Sequence, residues 1–439
     1  MPLRERFGLA LRAVVVAVLG IAVLAAVAYS FTLDPTSEAA KADPALRTAK
    51  GMIERGRHAF RHDTLGSEAF FTETIRLNEA VRTVTPRTAL AVGLKVDSAA
   101  LPQELIRAIR KGRVDLDDPA TTAALLSLGA VVGIQGEVGK DGSIRKMGIT
   151  CAFCHSTVND SLAPGIGERL DGWANRDLDV GTILSLAPNL QPLADLLGVD
   201  VATVKTVLQS WGPGRFDAHL NLDGKAFRPD GKTAAVLIPP AFGLAGVNLH
   251  TYNGWGSVTY WNAFVGNLEM NGQGTFFDPR LNDPVKYPVA SRAGFADVDD
   301  KPDRITPRLA DLHFYQLALA APTPPEGSFD TGAARRGRTL FAGKAQCGTC
   351  HVPPLFTEPG WNLHEPEEIG IDSFQADRGP EGRYRTTPLK GLWTHTKGGF
   401  YHDGRFATLL DVVNHYDSLK DLGLTEQEKG DIVEYLKSI

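Results

Sequence analysis

Apolar residues recur at helical spacing through most of this chain. Between Gly51 and about Leu128 they fall three or four residues apart, with no period-two alternation of any length. Near the C-terminus, Thr408 precedes a run whose apolar positions share one helical face, and Thr425 with Glu428 forms a capping box before another. The pattern therefore predicts a mainly α fold.

The first 33 residues form a separate segment. Basic residues precede an unbroken apolar run over residues 13–29, which is typical of an export signal. The run is long enough either to be cleaved after Ala28 or to stay as a membrane anchor. Both outcomes place the rest of the chain outside the cytoplasm, in the periplasm, because the basic end stays inside.

The composition is that of an ordinary globular protein. The 439 residues leave room for two or three domains. A hydrophobic content of 43% and a charged content of 22% indicate no large disordered fraction. The net charge of -5 gives no reason to expect a nucleic-acid partner.

Two motifs of identical spacing use all four cysteines, namely Cys151-Ala152-Phe153-Cys154-His155 and Cys347-Gly348-Thr349-Cys350-His351. Cys-x-x-Cys-His is the attachment signal of a c-type haem, in which two thiols bond to the vinyl groups and the adjacent imidazole binds the iron. A zinc site shared between the motifs and a redox dithiol are the alternatives. Neither alternative needs a histidine after the second cysteine in both copies, so the motifs favour two covalent haems.

Other segments also occur twice. The pairs are residues 56–60 with 337–341, 240–244 with 388–392, and 252–254 with 402–404. They indicate a duplicated haem domain whose first copy is interrupted, and a proline-rich stretch at 322–327 marks the boundary. The predicted division is a signal or anchor (1–33), a tether and helical extension (34–140), an N-terminal haem domain (141–325) and a C-terminal cytochrome c domain (326–439). Glycine-rich and polar stretches at 165–173 and 212–230 are predicted to be loops around a haem edge.

These motifs, together with residues 387–392 and 401–409, resemble the bacterial dihaem cytochrome c peroxidase and MauG superfamily. The resemblance covers most of the second domain, but only residues 151–155 and about 239–278 of the first. It implies two cytochrome c-like haem domains with His155 and His351 as proximal ligands. It also implies hydrogen peroxide reduction at the N-terminal haem, with electrons relayed through the C-terminal haem from a small cytochrome or cupredoxin donor. Calcium, found between the domains of related peroxidases, is a candidate cofactor.

The resemblance also implies roles near the first haem. Glu269 matches the family's distal acid and is expected to act as general acid and base, with Asn262 as its hydrogen-bonding companion. The alternative for Glu269 is an exposed surface glutamate. Trp255 and Trp261 are candidates for the electron relay between the haems, and Trp173 is a further one.

Two positions depart from the peroxidase pattern. Asp171 stands where those peroxidases carry a removable histidine, which predicts an open coordination position at the first haem. Tyr416 stands where they carry a methionine ligand of the second haem, and tyrosine ligates the iron at this position in MauG-type enzymes. The alternative is that Tyr416 is a core residue of its helix. The histidines that could ligate instead are His364, His402 and His415 at the second haem and His250 at the first.

Three functions are compatible with these features. The first is an exported peroxidase-like dihaem enzyme. The second is oxygen chemistry on an organic or protein substrate with dioxygen as oxidant, as in the rubber oxygenase and MauG branches. The third is a non-catalytic electron carrier.

Overall fold

The computed structural model describes residues 43–439, and in this part of the chain helices predominate over short strands. This confirms the prediction of a mainly α protein. The predicted export segment and possible anchor over residues 13–29 lie outside the described residues. Within residues 43–439, no helix combines the length and the apolar character that a membrane span requires.

Most helices are short, and several are single turns. In chain order they are α1 (Pro44–His62), α2 (Leu77–Val81), α3 (Pro86–Ala91), α4 (Gln103–Arg110), α5 (Pro119–Ser127), α6 (Ala152–His155), α7 (Val180–Ser185), α8 (Gln191–Leu197), α9 (Val201–Ser210), α10 (Leu220–Asp223), α11 (Val258–Phe264), α12 (Pro288–Ala293), α13 (Thr306–Ala318), α14 (Thr331–Ala342), α15 (Phe374–Asp377), α16 (Leu409–Lys420) and α17 (Glu426–Lys437). Two π-helical turns cover Ala69–Thr74 and Val265–Glu269. The 3-10 turns are Ser98–Ala100, Pro279–Asn282, Cys347–Thr349 and Leu392–Thr394.

The strands pair only two by two among the described residues. They are β1 (Val96–Asp97), β2 (Ile134–Val138), β3 (Ile144–Ile149), β4 (Ser156–Val158), β5 (Ile166–Gly167), β6 (Arg169–Asp171), β7 (Arg215–Phe216), β8 (Val236–Leu237), β9 (Thr275–Phe277) and β10 (Asp297–Asp299). β1 pairs in parallel with β5, and the antiparallel pairs are β2 with β3, β4 with β6, β7 with β8, and β9 with β10. The hairpin β2–β3 ends immediately before the first cysteine motif.

One helix crossing occurs twice, and glycine permits the close approach in both. A Cβ atom at Gly56 of α1 would lie 2.0 Å from the carbonyl oxygen of Asp311 in α13. A Cβ atom at Gly337 of α14 would likewise lie 2.0 Å from the carbonyl oxygen of Asp431 in α17. Any larger side chain would push the helices apart, so glycine is required at both crossings.

The side chains around the two crossings correspond as well. Next to each glycine an arginine side chain bonds the same aspartate at 2.7 Å, Arg55 with Asp311 and Arg336 with Asp431. An edge-to-face ring pair completes each crossing, with centroids 5.5 Å apart in the first and 5.2 Å in the second. The rings are Phe60 with Tyr315 and Phe341 with Tyr435. The echo between residues 56–60 and 337–341 is therefore a structural repeat.

The two repeats also exchange backbone hydrogen bonds. Residues 240–244 and 388–392 are the first and second proline turns, and residues 252–254 and 402–404 are the first and second glycine turns. The amide of Leu237, just before the first proline turn, donates to the carbonyl of His402 in the second glycine turn at 2.7 Å. The amide of Arg385, just before the second proline turn, donates to the carbonyl of Tyr252 in the first glycine turn at 3.0 Å. Each repeat thus contributes one strand-like segment to the glycine turn of the other.

Residues 53–439 form one compact unit. Its largest hydrophobic cluster joins side chains from both sides of the predicted boundary at residue 140, from Phe71 in the extension to Ala235 beyond the first cysteine motif. Helix α1, which completes the first helix crossing, also lies within the segment predicted to be an extension. The predicted boundaries at 140 and 325 stay predictions, but the extension supplies walls of the site described next.

Candidate functional site

The first cysteine motif lies on the wall of a cavity. Cys151 caps the single turn α6, and its thiol, that of Cys154 and the ring of His155 all line a cavity of about 380 Å³. Burial raises the pKa of both thiols to about 12. A redox dithiol needs the opposite, a thiol pKa lowered towards neutrality. The environment therefore does not favour the dithiol alternative.

Both motif histidines are neutral and face an equivalent carbonyl. Burial lowers the pKa of His155 to about 4, although the interaction with the Pro239 carbonyl acts to raise that pKa. Burial also lowers the pKa of His351 to about 4, and its Nδ1 donates to the Phe356 carbonyl at 3.1 Å. The carbonyl of Thr387, which is the repeat equivalent of Pro239, acts on His351 in the same direction. A neutral imidazole is the form that binds a metal.

The four cysteines do not converge on one zinc ion. All four are free thiols. Across residues 43–439, the cluster of ligand-type side chains within 4.8 Å of one another consists of Cys350, Glu358 and His364, which contains a cysteine of only one motif. The shared zinc site is thus not formed. An apolar cavity bounded by two protonated thiols and a neutral histidine instead fits a covalently attached haem.

Glu269 faces the same cavity as His155. The π-helical turn after α11 ends at Glu269, and such turns are frequent at functional sites. Its Oε1 is buried without a hydrogen-bond partner among the described residues, while Nδ2 of Asn221 lies 3.5 Å from Oε2. Burial, reinforced by the charge of Asp217, raises its pKa well above the usual range for a glutamate. Glu269 is therefore a protonated cavity residue and not an exposed surface glutamate.

Asn262 also lines the cavity. It lies on α11, and its Nδ2 donates to Oε1 of Gln316 on α13 at 2.7 Å. Because Gln316 is buried, the bond fixes the orientation of the amide. The structure thus brings Glu269 and Asn262, which are seven residues apart, to the same cavity as His155, which lies more than 100 residues earlier in the sequence.

Asp171 is held in place by three hydrogen bonds. Its Oδ2 accepts from Nε of Arg61 and from the hydroxyl of Tyr315, both at 2.5 Å, and its Oδ1 accepts from Ser156 at 2.8 Å. Tyr315 is also part of the first helix crossing. A carboxylate tied to this packing cannot swing towards an iron on His155 without breaking it.

A buried ion triad, not expected from the sequence, lies beside Glu269. Nε of Arg378 donates to Asp223 at 2.8 Å, and its Nη2 lies 2.9 Å from Asp217. The three side chains are at most 1% exposed. Arg378 follows α15, whereas both aspartates lie more than 150 residues earlier, so the triad fastens the C-terminal part of the chain to the cavity wall.

We expect Arg378→Met to lower the free energy of unfolding by about 3–5 kcal/mol, because it leaves two carboxylates buried without their counter-charge. The measurement is urea unfolding followed by circular dichroism. Arg383→Met is the matched control, since Arg383 pairs with Glu365 at the surface with both side chains about half exposed. The control should unfold as wild type does. Equal destabilisation by both substitutions would contradict a structural role for the triad.

His219 is a second buried cavity residue that the sequence did not single out. Its Nε2 lies 3.1 Å from Nδ2 of Asn253 and its Nδ1 lies 3.4 Å from Nε2 of Gln375. A neutral ring accepts at only one nitrogen, and Oε1 of Gln375 has no partner within residues 43–439. The assignment that satisfies both groups places the oxygen of the Gln375 amide, and not its nitrogen, next to Nδ1 of His219. Nδ1 of His219 then donates a hydrogen bond to that oxygen.

The predicted relay residues fall into two groups. Trp255 is 1% exposed and packs among aromatic rings, and Nε1 of Trp261 donates to its carbonyl. Trp173 instead meets Trp393 of the second repeat edge to face, with ring centroids 5.4 Å apart. The residue before it, Gly172, donates its amide to the carbonyl of His155 at 2.8 Å. The pair Trp173–Trp393 thus connects the first motif with the second repeat.

Tyr416 faces the second cysteine motif from α16. Burial raises its pKa, interaction with the phenol of Tyr401 opposes this, and the charges of Cys350 and Cys347 add to the rise. Tyr416 thus lies close enough to both thiols of the second motif to interact with them. Tyr416 is therefore suitably placed for ligation, which stays a prediction.

Three of the four alternative histidine ligands have polar protein partners, whereas the buried Nε2 of His402 has none among the described residues. The pKa of His364 is raised to about 10, mainly by Cys350 and further by Glu358 and Glu368, although burial acts to lower it. The ring of His364 is therefore cationic. The rings of His402 and Tyr384 stack with centroids 5.4 Å apart. In the remaining two, His415 bonds the Ile369 carbonyl at 2.8 Å and His250 bonds the Val247 carbonyl at 3.2 Å.

Comparison with known proteins gives several relatives of one kind. The chain is 28% identical to cytochrome-c peroxidase IdrP1 of Denitromonas iodatirespirans over 230 residues, 40% of this chain and 60% of the relative. It is 25% identical to methylamine utilization protein MauG of Methylorubrum extorquens over 234 residues, 46% of this chain and 63% of the relative. The matches thus span less than two thirds of either relative.

A solved structure of a MauG-like protein associated with microbial copper homeostasis is 19% identical and covers 52% of this chain and 78% of its own, with a TM-score of 0.27. That score is too low to indicate a shared overall fold. No family model matches the chain. These relatives are members of the dihaem cytochrome c peroxidase and MauG superfamily, and the chain is similar to them over 40% and 46% of its length.

Proposed function

We propose that the protein is an exported dihaem c-type oxidoreductase that reduces hydrogen peroxide at a haem held by His155. The observation that carries this proposal is the placement of a protonated Glu269, whose Oε1 has no partner among the described residues, in the cavity that His155 lines. When bound, haem would supply a coordination position for the oxidant and a one-electron redox couple.

The residues of the chain perform the proton chemistry. Cleaving an O–O bond requires a proton to reach the departing oxygen, and Glu269 holds one at its carboxyl group. Asn262, oriented by Gln316, offers an amide to position the oxidant. Asp171 stays in its own hydrogen bonds, so it would not compete with a small-molecule oxidant for the haem that His155 would hold.

Electrons would come from the second repeat. A haem held by His351 would receive them from a small cytochrome or cupredoxin donor and pass them towards the first. Trp173 and Trp393 provide aromatic contact between the repeats, and we propose this pair as the relay in place of Trp255 and Trp261. An anionic oxygen ligand from Tyr416 would lower the potential of the second haem and restrict which donors can reduce it. Calcium at the junction of the repeats is part of the same proposal.

Oxygen chemistry on an organic substrate is the second candidate. The cavity extends from Glu269 to helices of the N-terminal extension, where aliphatic and aromatic side chains such as Phe70, Val81 and Leu116 form its wall. Peroxide alone needs no apolar wall of this extent. An apolar organic substrate would pack against this wall, and dioxygen would be the oxidant.

The spectrum of the ferric protein tests the proposal. We expect one high-spin haem with an open position and one low-spin haem, followed by rapid peroxide turnover when a reduced donor is added. Two low-spin haems would overturn both enzyme functions and leave an electron carrier. A high-spin haem that forms a stable adduct with dioxygen but turns over peroxide negligibly would favour the second candidate.

A further inference from the structure

Two arginine side chains at the first cysteine motif lack a carboxylate partner. Arg385, from the second repeat, lines the cavity, and its Nη1 donates to the Leu249 carbonyl at 2.6 Å. Its buried Nε has no acceptor among the described residues, and the same holds for the buried Nη1 of Arg176. Arg176 follows Asn175, whose amide donates to the carbonyl of Cys154 at 2.9 Å. Arg385 therefore lines the cavity directly, and the side chain of Arg176 contacts Tyr252 of the cavity wall.

The residues between them do not neutralise these charges. Tyr252 lines the cavity. Burial raises the pKa of its phenol, while the charges of Arg176 and, to a smaller extent, Arg385 act to lower that pKa. Its hydroxyl donates to the Leu237 carbonyl at 3.1 Å, so the phenol is neutral. Burial lowers the pKa of Arg385 to about 10, which still leaves it charged at neutral pH. The nearby Arg215 adds a further cation, and the carboxylate of Asp403 acts on Arg215 and not on Arg176 or Arg385.

Uncompensated charge of this kind is costly. An arginine removed from water without a counter-charge destabilises a folded protein, and the cost is removed when an anion occupies the site. Haem carries two propionate carboxylates on one edge. A planar guanidinium is well suited to bind such carboxylates through paired hydrogen bonds.

We propose that Arg176 and Arg385 bind the two propionates of the haem attached through Cys151 and Cys154. This rests on the proposed haem at that motif. Because Arg385 belongs to the second repeat, the contact would cross from one repeat to the cofactor of the other. Arg385 would then be a positioning residue that also sets the redox balance of the first haem.

The test is spectroelectrochemistry of the purified holoprotein, with the high-spin and low-spin bands followed separately. Arg385→Leu removes a positive charge that disfavours ferric iron. At a fixed potential the ferric-to-ferrous ratio of the first haem should therefore rise by about tenfold, as expected for one unit charge about 10 Å away in a medium of intermediate dielectric. The propionate bending modes in the resonance Raman spectrum of that haem should shift in the same variant.

Two further variants make the result decisive. Arg385→Lys keeps the charge and should stay within about twofold of wild type. Arg383→Leu removes the same charge from the surface, where Arg383 pairs with Glu365, and should leave the ratio unchanged. An unchanged ratio in Arg385→Leu, or a Lys variant that shifts as far as the Leu variant, would overturn the proposal. These ratios are measured without turnover, so a protein with both haems but no peroxide reaction would refute only the proposed activity.

Discussion

Replacing both Cys151 and Cys154 by alanine is expected to leave the chain with one covalently attached haem, and replacing both Cys347 and Cys350 should have the same result at the other motif. All four cysteines belong to the two motifs, so no other thiol can replace the missing bond. His155 alone could hold a haem only by coordination, which denaturation breaks. Mass spectrometry and haem staining of the denatured chain measure the number attached.

Thr349→Ala is the control for this experiment. Thr349 lies inside the second motif, is exposed, and bonds only locally to the carbonyl of Gln346 and the sulfur of Cys350. The variant should carry both haems. If the two double-cysteine variants also retained two covalent haems, the assignment of the motifs, and with it the proposed function, would fail.

Local sequence signals predicted the C-terminal helices correctly. Thr408 and Thr425 both cap their helices, and the capping box of Thr425 with Glu428 is formed. Capping depends on residues three apart in sequence, which a pattern can reveal. The stretches 165–173 and 212–230 are both predicted to be loops, but the first contains β5 and β6 and the second contains β7 and the single turn α10, so both predictions are wrong in part. Elements of two to four residues are too short to show a period.

The site was predictable only where a family pattern or a repeat pointed to it. The repeated glycine of residues 56–60 and 337–341 leads directly to the helix crossings. Glu269 and Asn262 came from resemblance, and both line the cavity. Arg378 and Arg385 could not be found in this way, because each acts on residues more than 130 positions earlier in the chain. Long-range charge pairing has no local period, so only the folded structure reveals it.

Glu269→Gln should slow O–O bond cleavage by about two to four powers of ten, the usual contribution of a positioned acid and base. The amide has nearly the same size but carries no transferable proton. In the wild type, burial and Asp217 raise the pKa of Glu269, so the acid form persists above the usual range of a carboxyl group. The wild-type rate should stay level with rising pH and fall once this raised pKa is passed, whereas the Glu269→Gln variant should lack that fall. Stopped-flow mixing of the reduced protein with peroxide measures both.

The control must separate proton transfer from damage to the cavity. Glu326→Gln makes the same chemical change at an exposed position in the linker between the repeats and should react at the wild-type rate. The Glu269→Gln protein should keep its ferric spectrum and both haems, since Oε1 of Glu269 has no partner among the described residues whose loss could disturb the fold. A wild-type rate in Glu269→Gln would reject the acid role of this residue. A slow rate together with an altered ferric spectrum would instead indicate a change in the cavity, because a pure loss of the proton donor leaves the resting haem as it was.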